Sequence, residues 1–226
     1  MSEARTTHAP RLTLLRGADR VASPWKNGGG VTREIAAESA PVSADAVAHD
    51  VAFAWRVSVA DVAQAGPFSR FAGVDRTLVL LEGAGMLLDE RDADGANVLS
   101  THALTHALDI ARFDGAASID ARLVDGATRD FNLMVRRDVA HGSLEVWREA
   151  GSHRIPAQTD TVLLYGAQGV TRARVGEGDN EGEWIALETG DTLRIDCAQH
   201  VTIETQGEGV LLAITLNVQR HPKKAP

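Results

Sequence analysis

Cysteine, tyrosine and long apolar runs are all scarce in this chain of 226 residues, and each scarcity removes a class of explanation. The single cysteine, Cys197, closes no internal disulfide, and its setting LRIDCAQ reads as a strand carrying a small buried thiol. No run approaches the roughly 20 apolar residues that cross a bilayer as a helix. The start MSEARTTHAPRLTLLR lacks the apolar core of a signal peptide, so a cytoplasmic location is expected. Lys and Arg number 23 against 31 Asp and Glu, a formal net charge of -8. Binding to nucleic acid or to an anionic membrane needs clustered cations, so neither partner is expected, although a small cationic pocket stays open.

Metal chemistry is also under-represented. The eight histidines include no His-x-His pair, the usual announcement of a mononuclear metal site on a β-barrel. His102 and His106 are four apart, a spacing that converges on a helix, yet STHALTHALDIARF runs into a strand-like segment with no suitable acid beside it. His141, His153 and His200 read as scattered turn residues. No metal and no cofactor are therefore expected. No pair of carboxylates is singled out by spacing either, so no catalytic residue can be named, and an enzyme is the less favoured reading.

What is abundant is short apolar runs broken by Gly and Asp: RLTLL, FAWRVSVA, RTLVLL, SIDARLV, DFNLMVRR, TVLLYG, DTLRID, VTIET and GVLLAITLNV. Their lengths and spacing suit an all-β sandwich or barrel. Helix is expected only around Asp61 to Ala65. Loops are expected at residues 38–50 and 90–96. VLLEGA at 79–84 recurs as VLLYGA at 162–167, and Ile110-Ala111, Gly115 and Ile119-Asp120 are echoed by Ile185-Ala186, Gly190 and Ile195-Asp196. Paired blocks in one order suggest a duplicated β unit, hence a double jelly-roll of the bicupin type (RmlC-like cupin) with few short helices. Its first barrel would take residues 12–137 and its second 138–218, with 1–11 and 219–226 as flexible termini. Nothing in the sequence fixes the oligomeric state, and a homodimer stays open.

Four segments carry candidate chemistry. In PWKNGGGVTRE the three glycines lack the Gly-Lys-Ser/Thr ending of a phosphate loop and lead into a strand-like segment instead of a helix. They read as a turn or as the wall of a site that a ligand can approach closely, with Trp25, Lys26, Asn27, Gly28 and Gly29 facing it. Alternation in WRVSVA puts Trp55, Val57 and Val59 on one face and Arg56, Ser58 and Ala60 on the other. Arg56, whose planar fork matches a carboxylate, is the expected anion anchor. GPFSRF holds Phe68 and Ser69 on a fixed turn, as a lid or as a plug of the barrel end. DFNLMV sets Asn132 and Met134 opposite Phe131, Leu133 and Val135. Arg33 and Arg76 are read as salt-bridge partners for Glu34 or Asp75.

PWKNGGGVTREIA, WRVSVADV, GPFSRFAGVDRTLVLLEG and DFNLMVRR together resemble the HutD/Ves family, in that family's order across most of the N-terminal half. The resemblance implies a bicupin without the usual metal ligands. It also implies, for HutD members, a ligand-binding modulator of histidine utilisation with a small carboxylate such as urocanate or formylglutamate as ligand. For Ves members it implies a link to stress responses. A cupin-type hydrolase or isomerase acting on a related acid is the alternative.

Overall fold

The computed structural model describes residues 9–40, 51–177 and 180–219. Strands dominate them because alternating or fully apolar runs of five to ten residues are closed by Gly and Asp turns. The first eleven are β1 (Arg11–Leu15), β2 (Ser23–Pro24), β3 (Gly30–Ser39), β4 (Phe53–Val62), β5 (Gly66–Pro67), β6 (Val74–Glu82), β7 (Met86–Arg91), β8 (Val98–Leu104), β9 (Ile110–Asp114), β10 (Ser118–Leu123) and β11 (Thr128–Arg136). The rest are β12 (Ala140–Trp147), β13 (Gly151–Arg154), β14 (Thr161–Gln168), β15 (Thr171–Glu177), β16 (Asn180–Glu181), β17 (Ile185–Leu187), β18 (Thr192–Asp196), β19 (Val201–Gly207) and β20 (Val210–Val218). The only helical element among the described residues is a 3-10 turn at Gly17–Asp19. The helix expected near Asp61 is instead the end of β4, where Arg33 and Arg129 hold the Asp61 carboxylate across the sheet and the amides of Ala63 and Gln64 donate to the Gly29 carbonyl.

The chain forms two compact units, one of residues 20–141 with 218–226 and one of residues 1–19 with 142–217. In the first, the sheet β2-β3-β4-β11-β6-β9 and the sheet β5-β10-β7-β8 share one interior, built from Ala60, Leu78, Leu80, Ala111 and Phe113 on one side and Met86, Leu88, Leu104, Ile119 and Ala121 on the other. In the second, β1-β18-β14-β20-β12 and β13-β19-β15-β16 with β17 enclose Val162, Leu164, Val175, Leu193, Ile195, Ile203 and Leu211. These are two jelly rolls. β1, expected in the first barrel, belongs to the second, because Arg11 to Leu15 pair antiparallel with Asp196 to Thr192. Just beyond it Asp191 accepts from the Gly17 amide at 2.9 Å and from Arg16 at 2.7 Å. Of the loop expected at 38–50, Glu38 and Ser39 instead end β3 and 41–50 lie outside the described residues; of the termini expected to be flexible, Arg11 begins β1, and 1–8 and 220–226 lie outside the described residues.

The duplication is real in topology, but the sequence echoes misalign it. The order β4-β11-β6-β9 matches β12-β20-β14-β18, and β5-β10-β7-β8 matches β13-β19-β15-β16. The Ile110 block thus lies on the counterpart of β18, whereas its echo begins on β17. VLLEGA and VLLYGA do sit on equivalent strands, yet Leu78 and Leu80 face the interior in one and Val162 and Leu164 in the other, so Val79 and Val162 point opposite ways. A β-bulge gives the true register: it falls between Arg129 and Asp130 against Glu82 and Leu80, and between Gly166 and Gln168 against Leu211 and Val210. Superposing the bulges pairs Asp130 with Leu211, Asn132 with Ala213 and Arg76 with Val162. An odd-numbered slip inverts every side chain of a strand, which is why the matched letters mislead.

Candidate functional site

The first unit opens into a cavity of about 520 Å³. Its floor is the inner face of β4, β11 and β6, and the register arranges it in three rungs. Arg56, Met134 and Arg76 are level with one another, then Ser58, Asn132 and Leu78, then Ala60, Asp130 and Leu80. The alternation read from WRVSVA therefore holds, with Arg56, Ser58 and Ala60 on the cavity side and Trp55, Val57 and Val59 buried on the other.

PWKNGGG is the loop of the β2-β3 hairpin and forms one wall. The Gly28 amide donates to the Trp25 carbonyl, and that of Trp25 to the Gly30 carbonyl. Gly28 takes a φ of +72°, which favours glycine. Gly30 is there for space, since a Cβ would lie 2.5 Å from the Asp61 carbonyl oxygen and 3.0 Å from the Trp25 ring. That ring is fixed at its other edge, where Nε1 donates to Thr32 Oγ1 at 2.7 Å. The Asn27 carboxamide oxygen accepts from the Gly29 amide at 3.1 Å and so braces the loop. Trp25, Lys26 and Asn27 line the cavity, as do Arg56, Ser58, Phe68, Ser69 and Asn132; Gly28 and Gly29 do not.

The electrostatics depart from the sequence reading. Arg56 Nε donates to Glu34 Oε2 at 2.7 Å, so the expected anchor has its charge answered at a half-open rim. Asp75 is taken by Arg137 and Arg33 by Asp61. Arg76 has no ion pair among the described residues. It is 6% exposed, its guanidinium carbon lies 5.1, 5.9 and 5.1 Å from the ring centres of Phe68, Phe71 and Phe113, and its Nε meets no acceptor. Nη1 reaches only the Ser69 carbonyl, at 3.4 Å. Burial lowers its pKa to about 10. At the far rung Asp130 is 2% exposed, its Oδ2 is unpartnered, and burial raises its pKa to about 7 despite the field of Arg76. Asn132 Oδ1, between them, also lacks a partner.

Arg76 and Asp130 are thus the members that sequence reasoning missed as cavity residues. Alternation within DFNLMV puts its first residue, Asp130, on the face of Asn132, and alternation in VDRTLVLLE puts Arg76 with Leu78 and Leu80, so the signal existed. Other expectations also change. Cys197 is exposed, in a turn at φ +59° after β18. His141 and His153 lie in strands, and His153 stacks on Trp147 with ring centres 3.6 Å apart. His102 packs near Phe113 at 6.0 Å. Among the described residues no three His, Cys, Asp or Glu side chains come together as metal ligands, and no helix is long and apolar enough to cross a membrane.

Comparison with known proteins places this arrangement. A family model described as HutD matches residues 17–213. A Pseudomonas putida protein described as an uncharacterized 21.2 kDa protein in the hutC 3′ region is 32% identical over 90% of this chain and 97% of its own length. Protein Ves of Citrobacter koseri is 37% identical over 54% of this chain and 56% of its own length. HutD from Pseudomonas fluorescens SBW25, solved in a formate condition, superposes with a TM-score of 0.73 at 29% identity, covering 93% of this chain and all of that one. An oxalate decarboxylase mutant of Bacillus subtilis gives 0.56 at 8% identity over 92% of this chain and 77% of its own, a likeness of cupin fold alone. With the family model spanning nearly the whole of both jelly rolls, the chain belongs to the HutD/Ves family.

Proposed function

We propose that the protein is a metal-independent binder of a small carboxylate, held in the cavity of the first unit, and that the bound state modulates histidine utilisation. The observation that carries this reading is Arg76. A guanidinium sealed among three phenylalanines with an unanswered Nε is costly in an empty site, and a carboxylate with its two oxygens is its natural complement. Trp25, Phe68 and Ser69 wall the same space, where exclusion of water strengthens the pair. The relative named for the hutC 3′ region supports the histidine link, which makes urocanate and formylglutamate the ligands to try and the cytoplasm the expected setting. Calorimetric titration with both acids tests the reading. Micromolar or tighter binding that Arg76→Met weakens about a hundredfold, in a variant that still melts cooperatively, is the expected result; no binding of either acid by the intact protein removes it.

Asp130 favours a second reading. A carboxyl held near neutrality in a cavity is suited to proton transfer, so an acid-base enzyme acting on a related acid would show product after long incubation at high protein concentration, and Asp130→Asn would abolish it.

A further inference from the structure

Resting on the carboxylate-binding reading, we infer that the cavity selects acids carrying an N–H donor at the end remote from the carboxylate, and that Asp130 is the acceptor that reads it. Three buried polar atoms without partners belong to side chains that line the cavity: Nε of Arg76 on the first rung, Oδ1 of Asn132 on the second and Oδ2 of Asp130 on the third. Buried polar groups are almost always hydrogen-bonded in a working state, so the set describes what is missing from it. Arg76 requires an acceptor. Asp130, as the carboxylate, requires a donor.

The two requirements lie at opposite ends. Arg76 pairs across the sheet with Met134 and Asp130 with Leu80, so the rungs are four residues apart along β11, about 13 Å between backbone positions at about 3.3 Å per residue. The two charges nonetheless act on each other. A one- or two-carbon acid therefore fills the Arg76 end and leaves Asp130 and Asn132 unanswered. A longer acid whose far end only accepts hydrogen bonds sets lone pairs against the Asp130 carboxylate. An imidazole or amide N–H at that end satisfies Asp130 directly. The Asn132 carboxamide, midway, presents either its oxygen or its nitrogen by a flip and so tolerates what lies between. The other charges near Asp130 are those of Arg76 and Asp61; Arg56 and Lys26 line the same cavity. Glu34 holds Arg56, and Arg33 and Arg129 hold Asp61.

Urocanate and 3-(2-furyl)acrylate test the inference, because they share length, shape and carboxylate and differ in that the furan ring has no N–H. Titrated at pH 8 into the intact protein, urocanate is expected to bind tenfold or more tightly than the furyl acid, the worth of about one hydrogen bond to a charged group. Asp130→Leu should bring the two within about threefold by weakening urocanate, Asp130→Asn should fall between it and the intact protein because a neutral amide lacks the charge and can flip to present a donor, and Arg76→Met should weaken both acids alike. Equal or tighter binding of the furyl acid by the intact protein, or a urocanate preference that survives in a folded Asp130→Leu variant, overturns the donor selection while leaving carboxylate binding in place. Failure of both acids to bind at millimolar concentration overturns both readings together.

Discussion

The two jelly rolls share one strand order and carry a bulge at the same point of the same ladder, yet at equivalent positions beside that bulge one carries polar side chains and the other aliphatic ones. Where the first unit has Arg76, Asn132 and Asp130, the second has Val162, Ala213 and Leu211. The aliphatic set belongs to a closed cluster with Leu164, Leu193 and Ile195, whereas the polar set surrounds a cavity. A stability-driven interior is filled with hydrocarbon because unpaired polar atoms are costly there. Three such atoms in one copy of a duplicated unit, at positions where the other copy has aliphatic side chains, are what the binding proposal rests on.

Exchanging the two interiors probes the difference most severely. Leu211→Asp puts a carboxylate into the dry cluster and should cost about 4 kcal/mol or more, read as loss of the cooperative transition in urea. In the first unit, Arg76→Met should instead leave stability equal or higher while weakening carboxylate binding about a hundredfold, since the anion loses its charge-assisted partner; a drop in melting temperature with affinity intact would mean that Arg76 is a structural strut. Asp130→Leu, which copies the second unit, should stabilise the ligand-free protein by about 2 to 4 kcal/mol at pH 8. The sign follows from the raised pKa. The native state keeps the Asp130 proton until about pH 7, while an unfolded chain releases it near pH 4. Ionisation therefore adds no cost below pH 4 and progressively more up to pH 7, and the advantage of the variant should grow across that window in denaturation curves. The smallest effect is expected from Arg56→Ala, less than about tenfold in affinity and within about 1 kcal/mol in stability, because Arg56 is part of an exposed pair with Glu34.

That last expectation marks where the sequence stops being readable. Period-two alternation in WRVSVA suffices to put Arg56, Ser58 and Ala60 on one face, because a strand's geometry is local. Whether Arg56 is free depends on Glu34, 22 residues away on a neighbouring strand whose register shifts between Glu34 and Ala36, and no local pattern encodes such a shift. The cage of Arg76 draws Phe68 and Phe71 from the loop between β5 and β6 and Phe113 from β9, and nothing in VDRTLVLLE encodes it. The segments that carry the family resemblance all fall in the first unit; the second, whose core is aliphatic, offers only an echo that is out of register.

The pairing of β1 with β18 has a consequence for the order of assembly. Residues 11–15 are made about 180 positions before their sheet partner at 192–196, a contact of very high sequence separation. As the chain leaves the ribosome, residues 20–141 can close while β1 waits, unpaired, for β18. The second barrel is then completed by a strand made before the whole of the first, so no single backbone cut releases it whole, and a chain truncated ahead of β18 would leave the strand RLTLL without its template.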